Sequence, residues 1–163
     1  RYLLKFLVMS AASFFVGSIH GVLQVIKPVR AWLDSIGSPY GGPGHMIDPL
    51  AHAHINLIGG VTLLCIAVTY YLLTIILKRP LYSNRLSNWS FWGASVGIYS
   101  FYAVLMIGGA IEGNMLLNHD PNLETFHHSY VAPLIAITAT IMGSGLWIFM
   151  ANVFLTVRQG RRT

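Results

Sequence analysis

The sequence predicts an all-α, polytopic membrane protein: four transmembrane helices in an antiparallel bundle. Three observations predict it. Hydrophobic residues make up 55% of the 163 and charged residues only 9%, whereas a soluble domain carries charge on about a quarter of its positions. The mean hydropathy is +0.62. The apolar residues fall in four long continuous stretches rather than in alternation, which excludes a β-barrel. A chain of this composition can neither cover itself with polar surface nor stay disordered. Its one cysteine excludes a disulfide framework and a thiolate-held cluster.

A helix needs about 20 apolar residues to cross a bilayer. The first span is expected over about 3–26 and ends at Lys27-Pro28. It carries no cleavage-like site and is read as a span rather than a secretory leader. A turn-rich loop follows, with Ser38, Pro39, Gly41, Gly42, Pro43 and Gly44, residues that punctuate helices. The second span, about 50–77, contains no Asp, Glu, Lys or Arg and stops at Lys78-Arg79-Pro80. The third, about 91–117, is interrupted only by Glu112 and closes at Asn118 to Pro121. The fourth, about 126–157, is again free of charged residues and long enough to tilt or project. The whole, 1–163, reads as one domain.

Charge sets the expected topology. Four spans put both termini on one side, with Arg1, Lys5, Lys78, Arg79, Arg85, Arg158, Arg161 and Arg162. The other side holds only Lys27 and Arg30. By the positive-inside rule both termini are cytoplasmic. All five acids, Asp34, Asp48, Glu112, Asp120 and Glu124, then fall on or near the outer side. The net charge of +5 reflects this sorting, with half of the basic residues near the termini, and no nucleic-acid partner is expected.

The seven histidines are His20, His45, His52, His54, His119, His127 and His128, and all map to the outer half or the outer loops. His45 and His119, in loops, are read as solvent-facing. His20, His52 and His54 lie within spans, where ionisable groups are costly and usually functional. His127 and His128 open the fourth span. In Ala51-His52-Ala53-His54 the two imidazoles are about 200° apart around a helix. They cannot chelate one ion together, but each can serve a different centre. The small alanines leave room for a flat, bulky group. Heme is flat, apolar and takes an axial imidazole. Asn56, Gln24, Lys27 and Arg30 are available for its propionates.

These residues, in order, resemble the last four helices of the catalytic subunit of heme–copper oxidases, closest in flavour to the cbb-type oxidases and nitric oxide reductases. Gly17-Ser18-Ile19-His20-Gly21-Val22-Leu23-Gln24 is similar to the ninth helix, and Ala51-His52-Ala53-His54 with Asn56, Leu57 and Gly59 to the tenth. Leu81-Tyr82-Ser83, Leu86 to Trp92, Gly97-Ile98-Tyr99, Gly108-Gly109 and Glu112-Gly113 resemble the eleventh and its approach. Phe126-His127-His128-Ser129-Tyr130-Val131 and Asn152 to Arg158 resemble the twelfth. The resemblance implies that His52 faces a high-spin heme and His54 a low-spin heme. It also implies a bacterial or archaeal cytoplasmic membrane. The family's second-helix heme ligand, its three copper histidines and its tyrosine have no counterpart here, so no copper site is complete in this chain.

The expected function is a heme-binding, cytochrome b-like membrane subunit. It would carry one or two hemes, expected to be of b type, and pass electrons within a larger oxidoreductase complex. His54 and His52 are the candidate iron ligands; His20, His127 and His128 are candidates for the opposite axial position. Other membrane subunits are the expected partners, with a quinol or an outer-face cytochrome as electron donor. Two alternatives stand beside this reading: one part of a split oxidase or nitric oxide reductase catalytic subunit, or a heme-free structural subunit.

Overall fold

The computed structural model describes residues 3–160, which are helical almost throughout, with no strand among them. Arg1, Arg161 and Arg162, used above for the topology, lie outside the described residues. Four helices are long and apolar enough to span a membrane: α1 (Leu4–Val25), α3 (Gly42–Ile76), α4 (Asn84–Leu117) and α5 (Leu123–Gln159). A short helix, α2 (Lys27–Ser35), joins the first two. The spans pack mainly in sequence order, α1 on α3, α3 on α4 and α4 on α5. All seven histidines and all five acids gather at one end of the bundle. Lys5, Lys78, Arg79, Arg85 and Arg158 gather at the other.

α1 buries an unusual stripe. Phe6, Ser10, Ser13, Gly17, His20 and Gln24 recur every three or four residues and face inward, while Leu4, Val8, Phe15, Val22 and Val25 face out. The helix is thus inverted relative to a soluble one: its polar face is the packed face, and its apolar face is left for lipid or further helices. The buried hydroxyls are satisfied locally. Ser10 Oγ donates to the Gly60 carbonyl at 2.7 Å, and Ser13 Oγ lies 3.1 Å from the Tyr99 hydroxyl of α4.

α2 was invisible to a hydropathy window because it is amphipathic and short. Ile26 is extended, and Pro28 sits in the first turn of the new helix, where its missing N–H costs nothing. Val29, Trp32, Leu33 and Ile36 then fall on one face and pack with Ile47 and Met106. The chain reverses at Gly37, whose φ of +97° suits glycine; a Cβ there would also meet the Gly41 carbonyl oxygen at 2.6 Å.

α4 begins seven residues before the apolar run expected over 91–117. Ser83 caps it, its side chain accepting from the Leu86 N–H at 3.2 Å. The stretch Asn84 to Ser90 is polar enough to escape a hydropathy threshold yet has no helix breaker. The preceding connector is pinned by α5. The buried Asn152 accepts from the Ser83 N–H and donates to the Ser83 carbonyl and to Tyr70 Oη, and Thr156 accepts from the Tyr82 N–H. Replacing Ser83 with Ala leaves those backbone bonds intact and removes only the cap. The expected cost is about 1 kcal/mol, measured as a lower thermal unfolding midpoint with unchanged helicity at 25 °C.

α4 and α5 cross through glycines. A Cβ on Gly97 would lie 2.3 Å from the Met142 nitrogen, and one on Gly145 would lie 2.2 Å from the Ala94 nitrogen. These are backbone-to-backbone approaches, the close contact that small residues permit between membrane helices.

Candidate functional site

The histidine motif sits in the most irregular part of α3. The helix is broken at Asp48 (φ −132°, ψ 113°) just before Pro49. Past the break it runs through a turn at His52–His54 and a π-helical segment at Ile55–Thr62. π-turns inside α-helices are rare and concentrate at functional sites. Nothing in the hydropathy pattern signals them.

His52 and His54 turn to different neighbours, as their spacing predicts. His52 faces α1: its ring centroid lies 5.3 Å from that of His20, and a Cβ on Gly21 would meet its Cε1 at 2.9 Å. Its Nδ1 is buried and has no hydrogen-bond partner. His54 faces α4, 4.9 Å from the Phe101 ring, and is half-buried. Its Nδ1 is 2.8 Å from the Leu50 carbonyl oxygen. A carbonyl can only accept, so Nδ1 carries the proton and Nε2 keeps its lone pair. That is the tautomer and the backbone anchor of a metal-ligating imidazole.

His20 is the most buried of the histidines, at 4% exposure. Gln24 Nε2 lies 3.0 Å from its Nε2, and the Tyr102 hydroxyl lies 3.2 Å from its Nδ1. With the Gln24 amide donating, the His20 proton sits on Nδ1 and faces the Tyr102 oxygen. Both ring nitrogens are thereby engaged. Tyr102 was not singled out from the sequence; its signal was the Tyr99–Tyr102 pair, one turn apart on the face of α4 that meets Ser13 and His20.

His127 and His128 lie in the second turn of α5, within a second π-helical segment, His127–Val131. His127 Nδ1 is 2.8 Å from Glu112 Oε1 of α4, and Glu112 is only 4% exposed. His128 is exposed on the rim, 3.9 Å from Glu124. The structure therefore forms two histidine groups, His20 with His52 beside His54, and His127 with Glu112. Among the described residues no cluster of three or more His, Cys, Asp or Glu is arranged to hold a metal ion. His119 is exposed as expected. His45 differs from the solvent-facing expectation: its Nδ1 donates to the Pro39 carbonyl at 2.6 Å, because the turn at Gly37 folds that loop back over it.

The polar neighbours expected for propionates are partly engaged elsewhere. Asn56 donates to the His52 carbonyl at 2.9 Å and packs where a Gly17 Cβ would stand. Arg30 bridges Asp34 and Asp48, each at 2.6 Å, and donates to Ser38 at 2.8 Å. The carboxylates of Asp34 and then Asp48 raise the Arg30 pKa above its ordinary value, outweighing partial burial. Arg30 thus ties α2 to the break before the motif. Replacing Arg30 with Ala is expected to cost about 1 kcal/mol locally and to raise amide hydrogen exchange over 36–48 about fivefold, as read by mass spectrometry.

The donor set fits heme: two imidazoles turned to different faces, one with a bare Nε2 on a half-exposed ring and one with an orphaned buried nitrogen.

A family model described as cytochrome c and quinol oxidase polypeptide I matches residues 1–142. The chain belongs to this family. It is 26% identical over 171 residues to the cbb3-type cytochrome c oxidase subunit CcoN1 of Stutzerimonas stutzeri, covering 98% of this chain and 33% of that one. It is 27% identical over 170 residues to the bacteroid cytochrome c oxidase subunit 1 homolog of Bradyrhizobium diazoefficiens, covering 96% and 28%. The chain therefore spans about a third of the length of the curated relatives it matches. No solved structure gives a significant match. The family accounts for the membrane character read from the sequence.

Proposed function

We propose that this chain is a heme-ligating, electron-transferring portion of a respiratory-type membrane oxidoreductase. His54 and His52 ligate iron at two centres on opposite faces of α3. The observation that carries the reading is the pair itself: one ring anchored through Nδ1 to the Leu50 carbonyl with Nε2 bare, the other turned the opposite way with a buried nitrogen lacking a partner. When bound, a b-type heme supplies one-electron transfer at iron, with axial imidazoles setting its spin state.

The chain's own residues do the positioning. The Leu50 carbonyl fixes the His54 tautomer and ring plane, and Phe101 braces its face. Gly21 lets α1 approach His52. His20, held by Gln24 and Tyr102, packs edge-on against His52 and gives no nitrogen to iron. The half-exposed His54 and the apolar outer face of α1 at its histidine end, Phe15, Val22 and Val25, favour completion by other membrane subunits or helices, which would also supply the further heme ligands. The charge sorting, in which only Lys27 and Arg30 among the described cations stand at the histidine end, supports an orientation with the histidines toward the outer side of a bacterial or archaeal cytoplasmic membrane, where a quinol or a cytochrome would donate electrons.

A dithionite-reduced minus oxidised spectrum of the complex containing this chain tests the reading. A sharp α band unmoved by carbon monoxide is expected for the six-coordinate centre. A band that moves in carbon monoxide identifies an open catalytic centre, the split-subunit alternative. Absence of heme leaves the structural-subunit alternative.

A further inference from the structure

The basic end of the bundle carries a second feature, unrelated to the histidines. A groove runs between the first turns of α1 and the second turn of α4, lined by Leu4, Val8, Met9, Phe91 and Trp92, with Lys5 at its side. The Lys5 ammonium donates to Asn88 Oδ1 and lies 4.5 Å from the centre of the Phe91 ring. The neutral Asn88 takes one of its three N–H bonds, and neither partner cancels its charge. No acid is available at this end: the cations Lys5, Lys78, Arg79, Arg85 and Arg158 stand here, and all five Asp and Glu residues lie at the other. Trp89 and Trp92, 65% and 52% exposed, mark the level at which aromatic side chains meet headgroups.

We propose that this groove binds one anionic phospholipid, its phosphate on Lys5 and an acyl chain along Val8, Met9 and Trp92. The charge argues for an anion, and the apolar floor leading from Lys5 toward the middle of α1 argues for an anion with a hydrocarbon tail rather than a free one. Juxtamembrane cations attract anionic lipid by the same electrostatics, and here a built groove supplies the remaining contact.

The test is native mass spectrometry of the complex containing this chain after exchange from vesicles of mixed phosphatidylglycerol and phosphatidylcholine. Wild type should retain a phosphatidylglycerol. Lys5→Met, which keeps length and apolarity, and Val8→Trp, which fills the groove and keeps the charge, should each lower its retention at least about fivefold. Excess inorganic phosphate should not displace it. Undiminished retention in either folded variant, equal retention of phosphatidylcholine, or displacement by inorganic phosphate would overturn the proposal. Val8→Trp keeps the test decisive should Lys5→Met fail to fold.

Discussion

Replacing His54 with Ala is expected to remove one heme signal from the complex, about one heme per chain, while the signal that depends on His52 survives. In the proposed reading an axial imidazole would tie this chain to each iron, and losing it would release or convert the heme rather than weaken it slightly. His52→Ala should remove the other signal. The two variants separate because the side chains face α4 and α1 respectively; a single shared centre would respond to both. His119→Asn is the control. His119 is exposed and has φ +53°, a conformation Asn tolerates, so heme content should not change. Pyridine hemochrome assays on the three variants check the set. Full heme content in both His52→Ala and His54→Ala would remove the ligand assignment.

Gly97→Ala is expected to give a large structural loss from one added methyl. Its Cβ would stand 2.3 Å from the nitrogen and 2.4 Å from the Cα of Met142. Those are backbone atoms of α5, so no rotamer change relieves the clash and the helices must part. Overpacking of this kind costs about 1–3 kcal/mol. Separation of α4 from α5 would also disturb the Glu112–His127 hydrogen bond, which spans the same interface. Gly143→Ala makes the matched comparison, because nothing lies within 4 Å of its added Cβ. Thermal unfolding in detergent should show a midpoint several degrees lower for Gly97→Ala and unchanged for Gly143→Ala. Equal midpoints would contradict the close crossing.

The four spans were legible because continuous hydropathy is itself the physical requirement for crossing a bilayer. The antiparallel arrangement followed from short connections. What escaped was structure that hydropathy averages away. α2 mixes four polar residues with five apolar ones, and only the spacing of Val29, Leu33 and Ile36 reveals its buried face. The polar first turns of α4 are held by the Ser83 cap and by Asn152 of α5, a partner 69 residues away. At the site, the opposite facing of His52 and His54 was legible from helix geometry alone. The engagement of His20 by Gln24 was legible in principle, since the two are one turn apart. Its contact with Tyr102 and the pairing of Glu112 with His127 were not, because both depend on the register between separate helices. The π-helical segment that follows the motif has no signature in composition at all.

The central claim is that this chain's His-x-His pair holds heme, and heme stoichiometry tests it most directly. Pyridine hemochrome quantitation of the purified complex, set against the amount of this chain in the same sample, should give one or two b-type hemes whose presence depends on His52 and His54. A complex with no heme that depends on either residue would contradict it.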